Sequence, residues 1–252
     1  MDIAILSATA AASLGNSRTK AQSSVDPITQ AFQNADKRVQ QQRESVSVQL
    51  SSFGRLKSSF SETQTASRAL SDTKQPVTDA DLTKTTNNFI KAFNTAAQTA
   101  RSVAIPKGAL TYNSRARAAE NDLSRTISAD STATSDLKKI GITQQQDGTL
   151  AIDQNKFNAV LKANPDAVRS TLSAIGQQVD RTATRELANS GNIGSSVSSL
   201  DNRAKKLENQ QAEQQALAVA SRQTTSAQTS NPNNSLSSQN TGAAAYLRIF
   251  SI

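Results

Sequence analysis

Cysteine, histidine and tryptophan are all missing from this sequence, and only 4% of it is aromatic. Without cysteine or histidine there can be no disulfide framework, no Cys/His zinc site, no thiolate nucleophile and no imidazole acid–base chemistry. Carboxylates alone could still act, but the closest acidic pairs, Asp79 with Asp81 and Asp147 with Asp153, read as cap and turn residues. The sequence therefore predicts no catalytic residues, no metal site, no cofactor and no enzyme. Apolar residues are also scarce, at 36% of 252 residues, so a large compact core is not expected. Long apolar runs are absent: no stretch approaches the roughly 18 residues a membrane span needs, which predicts a soluble protein with no membrane partner. The opening "MDIAILSATAAASLG" has the small residues of a secretory signal, but Asp2 stands where a positive charge belongs and no Lys or Arg precedes the apolar run. No cleaved signal peptide is expected.

What replaces the missing residues is mostly Ser, Thr, Asn and Gln rather than charge, since Asp, Glu, Lys and Arg make up only 19% of the chain. That balance suits extended helices that meet other helices. The net charge of +8 raises the question of nucleic acid. However, the basic residues are scattered, Arg115/Arg117 and Lys138/Lys139 are only local pairs, and no aromatics interleave to stack on bases. A solvated basic surface accounts for them, and no nucleic-acid partner is expected.

Two stripes stand out. Near the N-terminus, Val25, Ile28, Phe32, Ala35, Val39, Val46, Leu50, Phe53, Leu56 and Phe60 recur at spacings of three and four, with one gap at Gln42. Asp26 caps this helix and Pro27 takes its first position, where a missing N–H costs nothing. At 1.5 Å per residue the helix would be roughly 65 to 70 Å long. Its many Ser, Thr, Val and Asn residues leave it marginal by propensity alone, so its stripe needs a covering surface. Val197, Leu200, Ala204, Leu207, Gln211, Gln214 and Ala218 form a second stripe, increasingly polar toward its end. The two should pair with each other or with neighbouring subunits, although an ordinary helical-bundle core has the same period.

Between them, "SDTKQPVTDADL" with Pro76 reads as a linker. A helix carrying Phe89, Phe93, Ala97, Ala100 and Val103 follows. Another runs from about Ser114 to Leu137, with a break near Asp130 to Ser135, and Gly141 closes it in the left-handed conformation. In "GITQQQDGTLAID", a two-residue Asp147-Gly148 turn would put the apolar residues of the two strands on opposite faces. A three-residue loop, Gln146-Asp147-Gly148, pairs Ile142 with Ile152 and Gln144 with Leu150, so that Ile142, Leu150 and Ile152 share one face. Asp153 caps the next helix, and Asn164-Pro165 starts one that buries Val168, Leu172 and Ile175 and stops at Gly176.

The predicted fold is mainly α: an elongated coiled-coil stalk of N- and C-terminal arms bearing a small α+β head with one β-hairpin. Residues 1–24 read as a flexible export and assembly segment, 25–70 as the long N-terminal helix, and 71–86 as a linker. Residues 87–190 form a helical head with its hairpin at 140–153, 191–220 a C-terminal coiled-coil helix, and 221–252 a flexible tail.

In this order the segments resemble the bacterial flagellar filament-capping family, also called hook-associated protein 2. The sharpest match is "LKKIGITQQQDGTLAIDQNKFNAVLKANPDAV" (137–168), with Gly141, Ile142, Asp147, Gly148, Leu150, Ile152 and Asp153 in the family's hairpin pattern. "NNFIKAFNTAAQ", "GALTYNSRARAAENDL" and the first arm are similar to other family segments. The resemblance implies a structural protein, not an enzyme, exported unfolded through the flagellar type III channel to the filament tip outside the cell. It also implies assembly with itself as a ring that caps the tip and promotes flagellin polymerisation, with flagellin, hook-associated proteins and an export chaperone at the C-terminal tail as partners. Family members usually carry large β-rich insert domains after the first helix, where this chain has only residues 71–86. Another axial protein (a junction or flagellin-like subunit) and an intracellular coiled-coil adaptor are the alternative readings.

Overall fold

The computed structural model describes residues 27–72, 78–104, 110 and 113–229. Over these the chain is mainly α, with seven helices and one two-stranded antiparallel sheet: α1 (Pro27–Ser71), α2 (Asp79–Ala104), α3 (Ser114–Ser128), α4 (Ser131–Lys139), β1 (Ile142–Gln144), β2 (Leu150–Ile152), α5 (Gln154–Ala163), α6 (Pro165–Leu187) and α7 (Asn192–Thr229). Lys37–Gln215 forms one compact unit, and Met1–Asp36 with Ala216–Ile252 forms a second. In the second unit Ala35 is buried, Phe32 is half-buried and Val219 is exposed.

Short polar side chains set the helix starts. Thr78 accepts the Asp81 N–H at 3.1 Å and donates its hydroxyl to the Asp81 carboxylate at 2.6 Å, a reciprocal cap on α2. Asn113, Asp130, Asp153 and Asn164 each accept backbone N–H bonds from the first turn of α3, α4, α5 and α6. Asp130 splits the helix expected from Ser114 to Leu137 into α3 and α4. A side chain that can cap two orphan N–H groups favours a new start over continuing the old helix.

In the larger unit α3 packs between α2 and α6, α4 touches α3 and α6, and α5 lies against α6 and α2. α1 meets both neighbours through small residues. The Thr63 hydroxyl is shared between Ser59 O at 2.9 Å and Ala92 O of α2 at 3.0 Å. Ser173 of α6 donates to Ser71 O at 3.0 Å. Gly176 comes so near α1 that a Cβ there would lie 2.6 Å from Ser67 O. The core joins Phe53, Leu56 and Phe60 of α1, Phe89 and Phe93 of α2, Leu123 and Ile127 of α3, Phe157 of α5, and Val168, Leu172 and Val179 of α6.

Several expected boundaries shift. The linker read over 71–86 is shorter, because α2 begins at Asp79; Asp79 and Asp81 in its first turn complement the positive end of the dipole. Gly176 does not end its helix, which runs on to Leu187; the glycine serves close approach to α1 instead. The tail read as flexible from 221 is helical through the described residues to Thr229, since propagation adds one bond per residue. The expected export segment at 1–24 and residues 230–252 lie outside the described residues, as does Val25.

Candidate functional site

The seam residues divide by element. On α1, Val39, Val46, Phe53, Leu56 and Phe60 are buried, whereas Leu50 is only partly buried and Phe32 is half-exposed in the other unit. Ile28 lies in the first turns of α1. On α7, Leu200 and Leu207 are buried and Val197 and Ala204 pack partly buried against the same core. Within Lys37–Gln215, residues of both stripes belong to one buried core. Sequence left open whether they would pair within or between subunits. A hydrogen bond from the Arg43 guanidinium to Gln211 Oε1 joins α1 and α7 where the stripe turns polar. Beside it runs an open groove of about 570 Å³ lined by Arg43, Glu44, Val48, Leu50, Ala204 and Glu208. Val48 is 55% exposed there, which is unusual among the large apolar side chains of this chain.

The hairpin module is tied down at every end. β1 and β2 pair Ile142 with Ile152 and Gln144 with Leu150, the register of the three-residue loop, and the Gln145 N–H donates to Thr149 O at 2.7 Å to close it. Ile142 and Leu150 are buried and Ile152 is half-buried on the shared face. Gly141 at φ +86° and Gly148 at φ +78° hold left-handed conformations that an L side chain would adopt only under strain. Gly141 also lacks room, since a Cβ would fall 3.0 Å from Asp153 O and 3.1 Å from Phe157 N. Asp147, at the exposed tip, accepts from both the N–H and the hydroxyl of Thr149, at 3.0 and 2.6 Å. Those two bonds, the hydroxyl first, hold its carboxyl below the usual aspartate range, with a smaller pull from Arg101. Lys156 Nζ reaches back to Lys138 O at 2.7 Å, at the negative end of α4.

Sequence reading missed the residue that seats the hairpin. Asn94 of α2 donates Nδ2–H to Leu150 O at 2.9 Å and accepts the Leu150 N–H on Oδ1 at 2.7 Å. One amide thus supplies both bonds of a third strand to the free edge of β2. On the β1 side the Gln144 side chain ties the hairpin to α3 instead, donating to Ser124 O at 3.0 Å. Asn94 falls inside the segment "NNFIKAFNTAAQ", and only its position between the buried Phe93 and Ala97 could have drawn attention to it.

The acidic pairs singled out in the sequence serve as caps and turn residues: Asp81 and Asp153 bond backbone or hydroxyl groups of their own helix starts, and Asp147 its own loop. Among the described residues no group of three or more acidic side chains is placed to hold a metal ion, and no helix is long and apolar enough to cross a membrane. What this arrangement offers is a hairpin-bearing helical body, residues of both stripes in its core, and an open groove lined by α1 and α7.

Residues 77–240 match the family model described as flagellar hook-associated protein 2 C-terminus. Comparison with curated proteins finds none that matches the chain.

Proposed function

This chain belongs to the flagellar hook-associated protein 2 family, and on that premise we propose that it is a structural subunit of the flagellar filament cap. Several copies form a ring at the filament tip, outside the cell, and promote polymerisation of flagellin beneath them. The match over 77–240 carries this reading, since it spans α2 through the whole of α7 and so includes the hairpin module and one of the two stripes. The physical character of the chain supports it. The buried hydroxyls of Ser52, Ser59, Thr63 and Ser67 bond carbonyls three or four residues back in their own helix, so the seam can fold and unfold without stranding polar groups. A chain with no disulfide to form suits passage through the flagellar export channel, with an export chaperone holding its C-terminal tail.

The family's usual insert domains have no counterpart in the short connection between Ser71 and Asp79. The cap proposed here is therefore built from helices, its subunits meeting along the groove that leaves Val48 exposed, with flagellin and the hook-associated proteins as its neighbours. Tagging the protein in motile cells tests the proposal directly. A signal confined to filament tips, together with flagellin lost to the medium when the gene is removed, is expected. Labelling along the shaft or at the hook, or retention inside cells whose export works, would overturn it.

A further inference from the structure

Among the described residues one charged side chain is buried in the core: Glu186, in the last turn of α6, is 1% exposed. Its surroundings are poorly suited to a negative charge. Oε2 accepts from Asn192 Nδ2 at 2.9 Å, at the first residue of α7. From α3, Asp122 faces it with a second carboxylate. On its own helix Arg185 comes no nearer to Oε1 than 3.9 Å, is 62% exposed, and turns its other nitrogen to Asp122 Oδ2 at 3.5 Å. α7 brings no charged group to the carboxyl, and Arg115 of α3 donates instead to Ser195 Oγ at 2.8 Å.

The backbone around this carboxyl has little room to yield. A Cβ on Gly191 would sit 2.0 Å from Arg185 O and 2.6 Å from Glu186 O, and one on Gly194 would sit 2.1 Å from Ala188 O. The start of α7 is therefore pressed directly onto the end of α6, and Glu186 cannot reach water without moving it. We propose that the buried Glu186 carboxyl forms a latch that holds the start of α7 against α6 and α3, closed while Glu186 is neutral and released when it ionises. In the closed state the Glu186 O–H donates to the Asp122 carboxylate. On release that proton passes to water and leaves two like charges, one of them buried, which the corner relieves by opening. Because α7 carries Leu200 and Leu207, the latch governs how firmly the second arm of the seam is anchored to the hairpin-bearing body.

Burial, the largest cause, and Asp122 both push the Glu186 carboxyl above its ordinary value of 4.5, against a smaller opposing bond from Asn192. The folded protein thus binds this proton more tightly than the unfolded chain. The stabilising contribution is complete below about pH 4.5 and is lost as pH rises through the elevated folded value.

Hydrogen exchange of the full-length chain across pH 4.5 to 8, corrected for intrinsic rates, tests this at residues 189–197. Opening of this segment is expected to rise by up to about tenfold per pH unit from about pH 4.5 until the folded Glu186 carboxyl has ionised, and to level off above that, while the hairpin amides show no such slope. Glu186→Gln should keep the segment protected with no pH dependence, because a neutral amide fills the same space. Asp122→Asn should make the rise level off at lower pH, since the like charge is gone and the folded Glu186 ionises more readily. A flat profile in the natural protein, the same slope in Glu186→Gln, or a rise in Asp122→Asn that levels off at the same pH as in the natural protein would overturn the latch.

Discussion

Two glycines in this protein should respond to the same substitution with opposite signs. Gly54 lies in the interior of α1, exposed, and a Cβ there would meet nothing within 4 Å. Gly54→Ala therefore brings only the backbone gain of alanine over glycine in a helix, about 0.8 to 1 kcal/mol. Gly176 lies in the interior of α6 and gains the same amount, but its Cβ would stand 2.6 Å from Ser67 O and 3.0 Å from Ser71 N. Both are backbone atoms that no rotamer change can move, and ordinary contact begins near 3.4 Å. α1 and α6 must then separate by several tenths of an ångström along a contact that also carries the Ser173 to Ser71 bond. Overpacking of this kind costs roughly 1 to 3 kcal/mol, and with immobile neighbours the upper part of that range applies, leaving a net loss of about 1 to 2 kcal/mol. Urea unfolding followed by far-ultraviolet circular dichroism, at one fixed protein concentration so that self-association does not shift the midpoints, measures both changes. In thermal scans Gly54→Ala should rise by about 2 to 4 °C and Gly176→Ala should fall by about 2 to 8 °C. If both variants are stabilised, α1 and α6 do not approach as closely as Ser67 and Gly176 require, and the account of this helix pair fails.

Three further outcomes are expected. Asn94→Ala leaves the Leu150 N–H and C=O without their partner at the buried edge of β2, which should cost about 2 to 4 kcal/mol in urea unfolding and raise exchange at the Leu150 amide; Asn94→Asp should recover part of the loss by keeping the acceptor. Asp153→Ala removes the cap of α5 and should cost about 1 kcal/mol without altering the strand register read by nuclear Overhauser contacts between Ile142 and Ile152. Val48→Lys, at a site 55% exposed, should change unfolding free energy by less than about 0.5 kcal/mol. It should still weaken self-association in sedimentation, whereas an unchanged sedimentation profile would remove the groove from the subunit interface.

Much of this architecture could be read from residue patterns because its determinants are local. The hairpin register follows from where Ile142, Leu150 and Ile152 must sit relative to Gly148, and the starts of α5 and α6 follow from Asp153 and Asn164 standing before helical periodicity. What escaped the sequence depends on partners far along the chain. Gly176 carries the same letter whether it ends a helix or admits a neighbouring backbone, and only Ser67, more than a hundred residues earlier, distinguishes the two. Asn94 gave no signal, because an amide between two buried apolar residues on α2 acquires its role only when β2 arrives beside it. Glu186 looked like one of many surface carboxylates until the 188–191 corner folded over it.

The same contrast between local and distant determinants bears on assembly. Along α1 the buried face changes character: Val39 and Val46 are small and β-branched where the partner is α7, while Phe53, Leu56 and Phe60 enter the main core. At roughly 25 cal/mol per Å² of apolar surface, a phenylalanine contributes considerably more on burial than a valine. The α1–α7 pairing below residue 50 is therefore the weaker part of the seam. It is also where Arg43 and Gln211 replace apolar contact with an exposed hydrogen bond, and where Val48 is left open beside the groove. A pairing strong at the hairpin-bearing body and weak away from it gives an arm that keeps its root while its far turns exchange partners. If the proposed filament cap assembles through that gradient, Gln211→Leu, which extends the apolar stripe by one layer, should stabilise the isolated chain and at the same time slow its incorporation at filament tips. A variant that gains stability and caps filaments as fast as the natural protein would show that the weak end of the seam has no part in assembly.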